Sequence, residues 1–162
     1  MREIKFRGKS TMSIVKMDRF GINHNNGWVN GNLVMCGKQP FIVGDFIEVD
    51  EEFTINEWWC PVHADSLGQF TGLKDKNSVE VFDGDILKRI VTIVVYGSGK
   101  PPTDVEDIAE VKWSADYAGF YVDERPLFAE LHATIDFITS CRCTQFEVIG
   151  NTHEHKHLLE AE

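Results

Sequence analysis

The sequence predicts a mainly β protein with minor α content, built from short antiparallel strands in a barrel or sandwich. Three observations carry this expectation. Apolar residues alternate with polar ones over many short stretches, a period of two that buries one face of a strand and wets the other. Asn30-Gly31, Gly44-Asp45 and Asp83-Gly84 punctuate those stretches with turn chemistry. Residues 85–96 are β-branched and apolar on both faces (Ile86, Ile90 and Val94 against Leu87, Val91, Ile93 and Val95), which places that strand in the middle of the fold.

Taken in order, Glu3-Ile4-Lys5-Phe6-Arg7 reads as a first strand, and residues 20–27 as a Gly- and Asn-rich turn. Trp28-Val29 and Leu33-Val34-Met35 flank Asn30-Gly31, which predicts a hairpin or, alternatively, one kinked strand whose glycine packs against a neighbour. Residues 41–43 and 46–49 are short strands around Gly44-Asp45. Residues 69–73, 79–81, 109–113 and 120–123 are further strands; 75–78 and 116–119 are turns, and 97–107, with Pro101-Pro102, is a flexible loop. Leu127, Leu131, Ile135 and Ile138 have helical spacing with Pro126 in the first turn, so a helix is expected, although its Thr- and Ile-rich later half weighs against it. Residues 146–149 form a last strand before Gly150-Asn151, and the tail from His153 is a short helix or frayed.

The 162 residues, 43% of them apolar, suffice for one domain, or for a barrel plus a smaller lobe, with a core that requires no disulfide. Residues 45–66 carry seven acids, no Lys or Arg, and Trp58-Trp59. That shift in composition marks a lobe boundary or a long functional loop ending near Ser66; taken as a boundary, it gives an N-terminal β-rich lobe over 1–66 and a second domain with a C-terminal tail over 67–162. No apolar run approaches the roughly 20 residues that a membrane span requires. The N-terminus lacks the apolar region of a signal peptide, and four unevenly spaced cysteines do not make a secreted disulfide framework. A cytoplasmic protein with reduced thiols and no membrane association is expected.

Three stretches carry a family resemblance. The first is Met1-Arg2-Glu3-Ile4-Lys5-Phe6-Arg7-Gly8. The second is Gly68-Gln69-Phe70-Thr71-Gly72-Leu73-Lys74-Asp75-Lys76-Asn77 with Val81-Phe82-Asp83-Gly84-Asp85-Ile86. The third is Phe146-Glu147-Val148-Ile149-Gly150-Asn151 with Glu154 and Leu158-Leu159. In this order they resemble the YopX family of phage and prophage proteins. The resemblance implies a mostly β fold with an SH3-like barrel in the second half, and a bacterial phage or prophage origin. It implies no activity and no catalytic residue. Ser78 departs from the family, which carries a glycine after Lys-Asn, and the His-rich 152–157 replaces its aromatic and Asn-Pro residues. The residues read the same way without the family: turn formers between apolar strand residues specify hairpins, not a reaction.

Candidates for chemistry are few. Cys60 and His63 have C-x-x-H spacing and Cys141 and Cys143 supply two more thiols, but the paired C-x-x-C signature of a zinc site is absent, so no metal and no cofactor is assigned. His153, His155 and His157 would share one side of an extended tail, and Asp83 with Asp85 reads as a turn because Leu87 and Arg89 supply no further cation ligands. Gly97-Ser98-Gly99-Lys100 lacks the remaining positions of a phosphate loop.

Charge frames the binding expectations. The net charge is −10, yet residues 1–20 carry six basic residues against two acids. The acidic surface repels phosphate backbones, and the acidic stretches 45–66 and 103–130 favour a basic protein partner. The basic strand with Lys5, Arg7 and Lys9 leaves nucleic acid as an alternative. Trp58 and Trp59 are the aromatic candidates for a binding surface: strand alternation allows one indole inward and the other outward, and the other reading puts both rings in a core or lobe interface. The leading expectation is a non-enzymatic binding module with an unidentified protein partner. A metal-dependent enzyme and an acidic DNA mimic stay open as two further functional classes, and strand edges leave room for a homo-oligomer.

Overall fold

The computed structural model describes residues 3–95, 97–130, 134–135 and 142–160. The chain divides into two compact units, Met1–Phe70 and Thr71–Glu162. The strands are antiparallel throughout the registered pairs, as the alternation predicts.

In the first unit, β1 (Phe6–Lys9), β2 (Trp28–Cys36), β3 (Gln39–Val43), β4 (Phe46–Val49), β5 (Thr54–Asn56) and β6 (Trp59–Pro61) precede β7 (Gly68–Lys74), which runs across the division. β2 is the hinge of this sheet. Its first residues pair with β1 (Phe6↔Gly31, Lys9↔Trp28), its last with β3 (Asn32↔Val43, Cys36↔Gln39), and β3 pairs with β6 (Ile42↔Cys60). Just past β1, Ser10 bridges Val62 just past β6, so the ladder returns on itself. Inside lie Met17, Ile22, Val29, Ile42, Cys60 and Val62, with Phe6, Leu33 and Trp58 packed on them.

The expected hairpin at Asn30-Gly31 is not there. β2 passes straight through, and Gly31 is instead a close-packed glycine within one strand: a Cβ on it would sit 2.2 Å from the Val43 carbonyl oxygen. The turn lies at Gly37-Lys38. A six-residue helix, α1 (Ile14–Arg19), escapes the sequence reading because it is too short for a periodic signal and buries only Met17; the Ser13 side chain caps it by accepting from the Lys16 N–H at 3.4 Å.

In the second unit, β8 (Glu80–Phe82) and β9 (Asp85–Ile93) are followed by β10 (Thr103–Ser114), β11 (Gly119–Val122), β12 (Arg125–Pro126), α2 (Leu127–Glu130), β13 (Thr134–Ile135), β14 (Arg142–Cys143) and β15 (Glu147–Asn151). β9 is central as predicted: β10 covers one edge, β14 and β15 the other, and Ile86 and Leu87 on opposite faces are both fully buried. Val81, Leu87, Ala109, Val111, Val122, Leu127 and Phe146 form the core.

Two expectations change here. The loop before the Ala109 strand ends early, because Thr103 already pairs with Ile93 and β10 runs for 12 residues. The helix expected through Ile138 stops at Glu130, and Thr134-Ile135 pair with Cys143-Arg142 as strand. β-branched residues lose rotamer freedom in a helix and fit a pleated ladder, so the Thr/Ile half follows its propensity. Leu131 and Ile138 lie outside the described residues. The tail forms a short 3-10 turn, Lys156–Leu159.

The family motif is backbone stitching. Asp75, 7% exposed, accepts from the N–H groups of Asn77 (2.8 Å), Val79 (2.9 Å) and Val148 (2.9 Å). Asp85 accepts from the Phe82 N–H and Asp83 from the Trp113 N–H. Ser78 holds φ +65°, the left-handed conformation a glycine tolerates without strain. Ser78→Gly is therefore expected to stabilise the chain by about 0.5–1 kcal/mol, read as a higher urea midpoint at unchanged slope; a lower midpoint would show that this turn is not strained.

Candidate functional site

The site is built by one long hairpin. β3 and β6 form its base. Beyond Val43 the ladder continues through the Gly44 N–H to the Trp58 carbonyl (3.0 Å) and the Glu57 N–H to the Asp45 carbonyl (2.9 Å). It then runs into β4 and β5 (Phe46↔Asn56, Val49↔Thr54) and ends where the Asp50 N–H meets the Phe53 carbonyl at 2.9 Å. β2 pairs with β3 only as far as Val43, so β4 and β5 form a two-stranded arm, with a bulge between Phe46 and Glu48.

Its root is pinned. A Cβ on Gly44 would lie 2.7 Å from Trp58 Nε1, so the indole packs against a position only glycine leaves open. Asn56, 8% exposed, donates its amide N–H to the Gly44 carbonyl at 3.1 Å. Trp58 packs on the core, while the next residue, Trp59, points outward, 49% exposed, with its ring edge-on to Phe41 at 6.4 Å. Strand alternation thus divides the two indoles between inside and outside.

The arm itself carries little burial. Phe46, Ile47, Val49, Phe53 and Ile55 are 44–68% exposed. Asp45, Glu48, Asp50, Glu51, Glu52 and Glu57 surround them, and no Lys or Arg occurs between residues 45 and 59. The sequence reading of 41–49 as ordinary short strands missed these apolar residues as surface. The available signal was the mixture of acids and large apolar side chains over 45–57 without a single Lys or Arg.

The basic candidates lie on and beside β1. Lys5, Arg7 and Lys9 alternate with Phe6, which packs on the core, and with Gly8, which is buried. Their charges are engaged within the unit. Lys5 Nζ pairs with Glu3 Oε1 at 3.1 Å and sits over the Phe70 ring at 4.7 Å. The Arg7 guanidinium lies 5.0 Å from the Trp28 ring centroid, and Lys9 Nζ lies 5.6 Å from it while donating to the Asn26 carbonyl at 2.9 Å. Such ring contacts are worth about 0.5–2 kcal/mol each, more when desolvated.

Of the metal candidates, Cys60 and His63 fall among the described residues. Cys60 is fully buried and its thiol donates to Ser10 Oγ at 3.1 Å; burial pushes its pKa up, against a lowering by Ser10, which opposes the thiolate a metal or nucleophilic role needs. His63 is exposed and its carbonyl accepts from Ser66 Oγ at 2.7 Å. Cys141 and the side chain of Cys143 lie outside the described residues. Among the described residues no group of three or more His, Cys, Asp or Glu side chains is placed to hold a metal. In the tail, the His155 ring packs against Gly150, and its Nδ1 accepts from the Asn151 N–H at 3.4 Å. No described helix is long and apolar enough to cross a membrane.

Comparison with known proteins gives one family. The family described as YopX protein matches residues 5–160. No curated protein matches the chain. Among solved structures, the chain is similar to the crystal structure of protein EF1440 from Enterococcus faecalis, at 20% identity and a TM-score of 0.49, over 98% of this chain and 99% of that one.

Proposed function

The chain belongs to the YopX family, and within that family we propose that it works as a non-enzymatic binding module that contacts a protein partner. We read it as a cytoplasmic accessory protein of a phage or prophage, with its second lobe, 67–162, as the SH3-like domain of the family. The observation that carries the binding reading is the β4–β5 arm, where five large apolar side chains and Trp59 stand in solvent. Exposed apolar surface of this kind marks interaction sites, and buried aromatic anchors dominate interface energetics. The nucleic-acid reading has less support, because Lys5, Arg7 and Lys9 are engaged in ring, carbonyl and carboxylate contacts of their own unit.

A photo-crosslinking residue at Thr54, on the arm, and another at exposed Asn77 test this in bacterial lysate. A discrete protein adduct from position 54 and none from position 77 is the expected result. Trp59→Ala should lower the adduct yield at least about 10-fold and cost less than about 1 kcal/mol of stability, since the ring is half exposed. Absence of an adduct, with retardation of DNA by the intact protein at physiological salt, would replace this reading with the nucleic-acid one.

A further inference from the structure

We propose that the β4–β5 arm, with Trp59 at its root, is the docking surface for an extended segment of a partner protein in which Lys or Arg alternates with apolar residues. This rests on the binding-module reading and names the occupant of that surface.

The arm lacks cover. A two-stranded ribbon is marginally stable in water, and three strands or a covering element are needed before an apolar face contributes. Here the ribbon has no third strand among the described residues. Its apolar side chains are held out, and its root is fixed by Trp58 on Gly44 and by Asn56 on the Gly44 carbonyl. The rigid root keeps the arm projecting without covering it.

Charge then selects the occupant. Asp45, Glu48, Asp50, Glu51, Glu52 and Glu57 take part in no ion pair among the described residues. Ile55 pairs with Glu48 on the face opposite Phe46 and Val49, so a segment alternating cationic and apolar residues lies along one face, with its apolar side chains on Phe53 and Ile55 and its cations beside Glu48 and Asp50. Its charges also steer the encounter. A second copy of this chain fits poorly, because two arms meeting would set six carboxylates against six, and like charges in register oppose pairing. The bulge in β4 further spoils that edge for a ladder between identical strands.

The test is an amide-shift titration of the isotopically labelled full chain with short synthetic peptides of alternating Lys-Val, Glu-Val and Ser-Val. The Lys-Val peptide should shift the amides of residues 45–59, with affinity falling several-fold between low and physiological salt, because exposed charges are screened over roughly 8–10 Å. The Glu-Val peptide should shift none, and Ser-Val should bind more weakly than Lys-Val. Glu51→Gln/Glu52→Gln should weaken Lys-Val binding, whereas Asp116→Asn/Glu124→Gln, which removes the same charge elsewhere, should leave it unchanged. Equal loss in both variants would mean general attraction to an acidic protein and overturn the proposal. Shifts of the arm amides with protein concentration alone would assign the surface to a second copy instead. If Lys-Val fails but the Thr54 crosslinker still captures a discrete protein, the basic occupant is wrong and the binding module stands. If both fail, both readings fall.

Discussion

Gly31→Ala is expected to destabilise the first unit by at least about 3 kcal/mol, the upper range for overpacking a core. The added methyl would lie 2.2 Å from the Val43 carbonyl oxygen, and Ile42 Cγ2 would be 3.1 Å away. Neither neighbour has room to yield. Val43 is 1% exposed and its ladder partners are fixed on both sides, by Asn32 in β2 and Trp59 in β6. The backbone at Gly31 is not in the left-handed region, so the penalty is steric alone. A small protein is stable by roughly 5–15 kcal/mol, so this single methyl removes a large share. Urea unfolding followed by tryptophan fluorescence reads it, with Asn32→Ala, an exposed neighbour in the same strand, as the control that should change little. A midpoint as high as that of the parent would mean that β2 and β3 are not packed as described.

Asp75→Ala comes next, with an expected loss of roughly 3–5 kcal/mol, since one carboxylate satisfies three backbone donors and hydrogen bonds to a charged acceptor contribute about 1.5–3 kcal/mol each before partial exposure is discounted. Oδ1 takes the N–H groups of Asn77 and Val79, which shape the turn, and Oδ2 takes that of Val148, which ties β15 to the turn. Asp75→Asn separates these roles. The amide oxygen can keep the turn, while its NH2 faces a donor at Val148. Hydrogen exchange should then show protection lost at Val148 and kept at Val79 in the Asn variant, and lost at both in the Ala variant. Protection unchanged at Val148 in both variants would remove Asp75 as the link.

These two positions mark how far the sequence could be read. Asp75 sits in a turn whose chemistry is local, so the turn was legible from Asp75-Lys76-Asn77-Ser78 between apolar strands, while the bond from Val148, 73 residues away, was not. The central placement of β9 was legible too, because apolar residues on both faces have no other stable location. Gly31 was ambiguous. Asn-Gly between apolar runs is the strongest local hairpin signal, and only the Val43 carbonyl, from the next strand of the ladder, decides that the glycine serves close approach instead. The helix expected through Ile138 failed for a related reason: spacing alone cannot weigh a partner strand, and Thr134-Ile135 found one in β14.

The candidate site divides in the same way. The acidic, Trp-bearing stretch 45–66 stood out from composition, and alternation left two readings of Trp58 and Trp59, one inside and one outside or both buried. Which indole is inside, and that Phe46, Ile47, Val49, Phe53 and Ile55 remain in solvent, depends on where β2 stops pairing with β3. The basic strand was visible as charge, yet its engagement with Trp28, Phe70 and the Asn26 carbonyl was not. Fold class, strand periods, turn carboxylates and family membership follow from residue type and near-neighbour spacing, so the linear chain already carries them. Which apolar surfaces are covered, and which charges are already engaged, arises only on folding, because burial and pairing depend on residues brought together from distant parts of the chain.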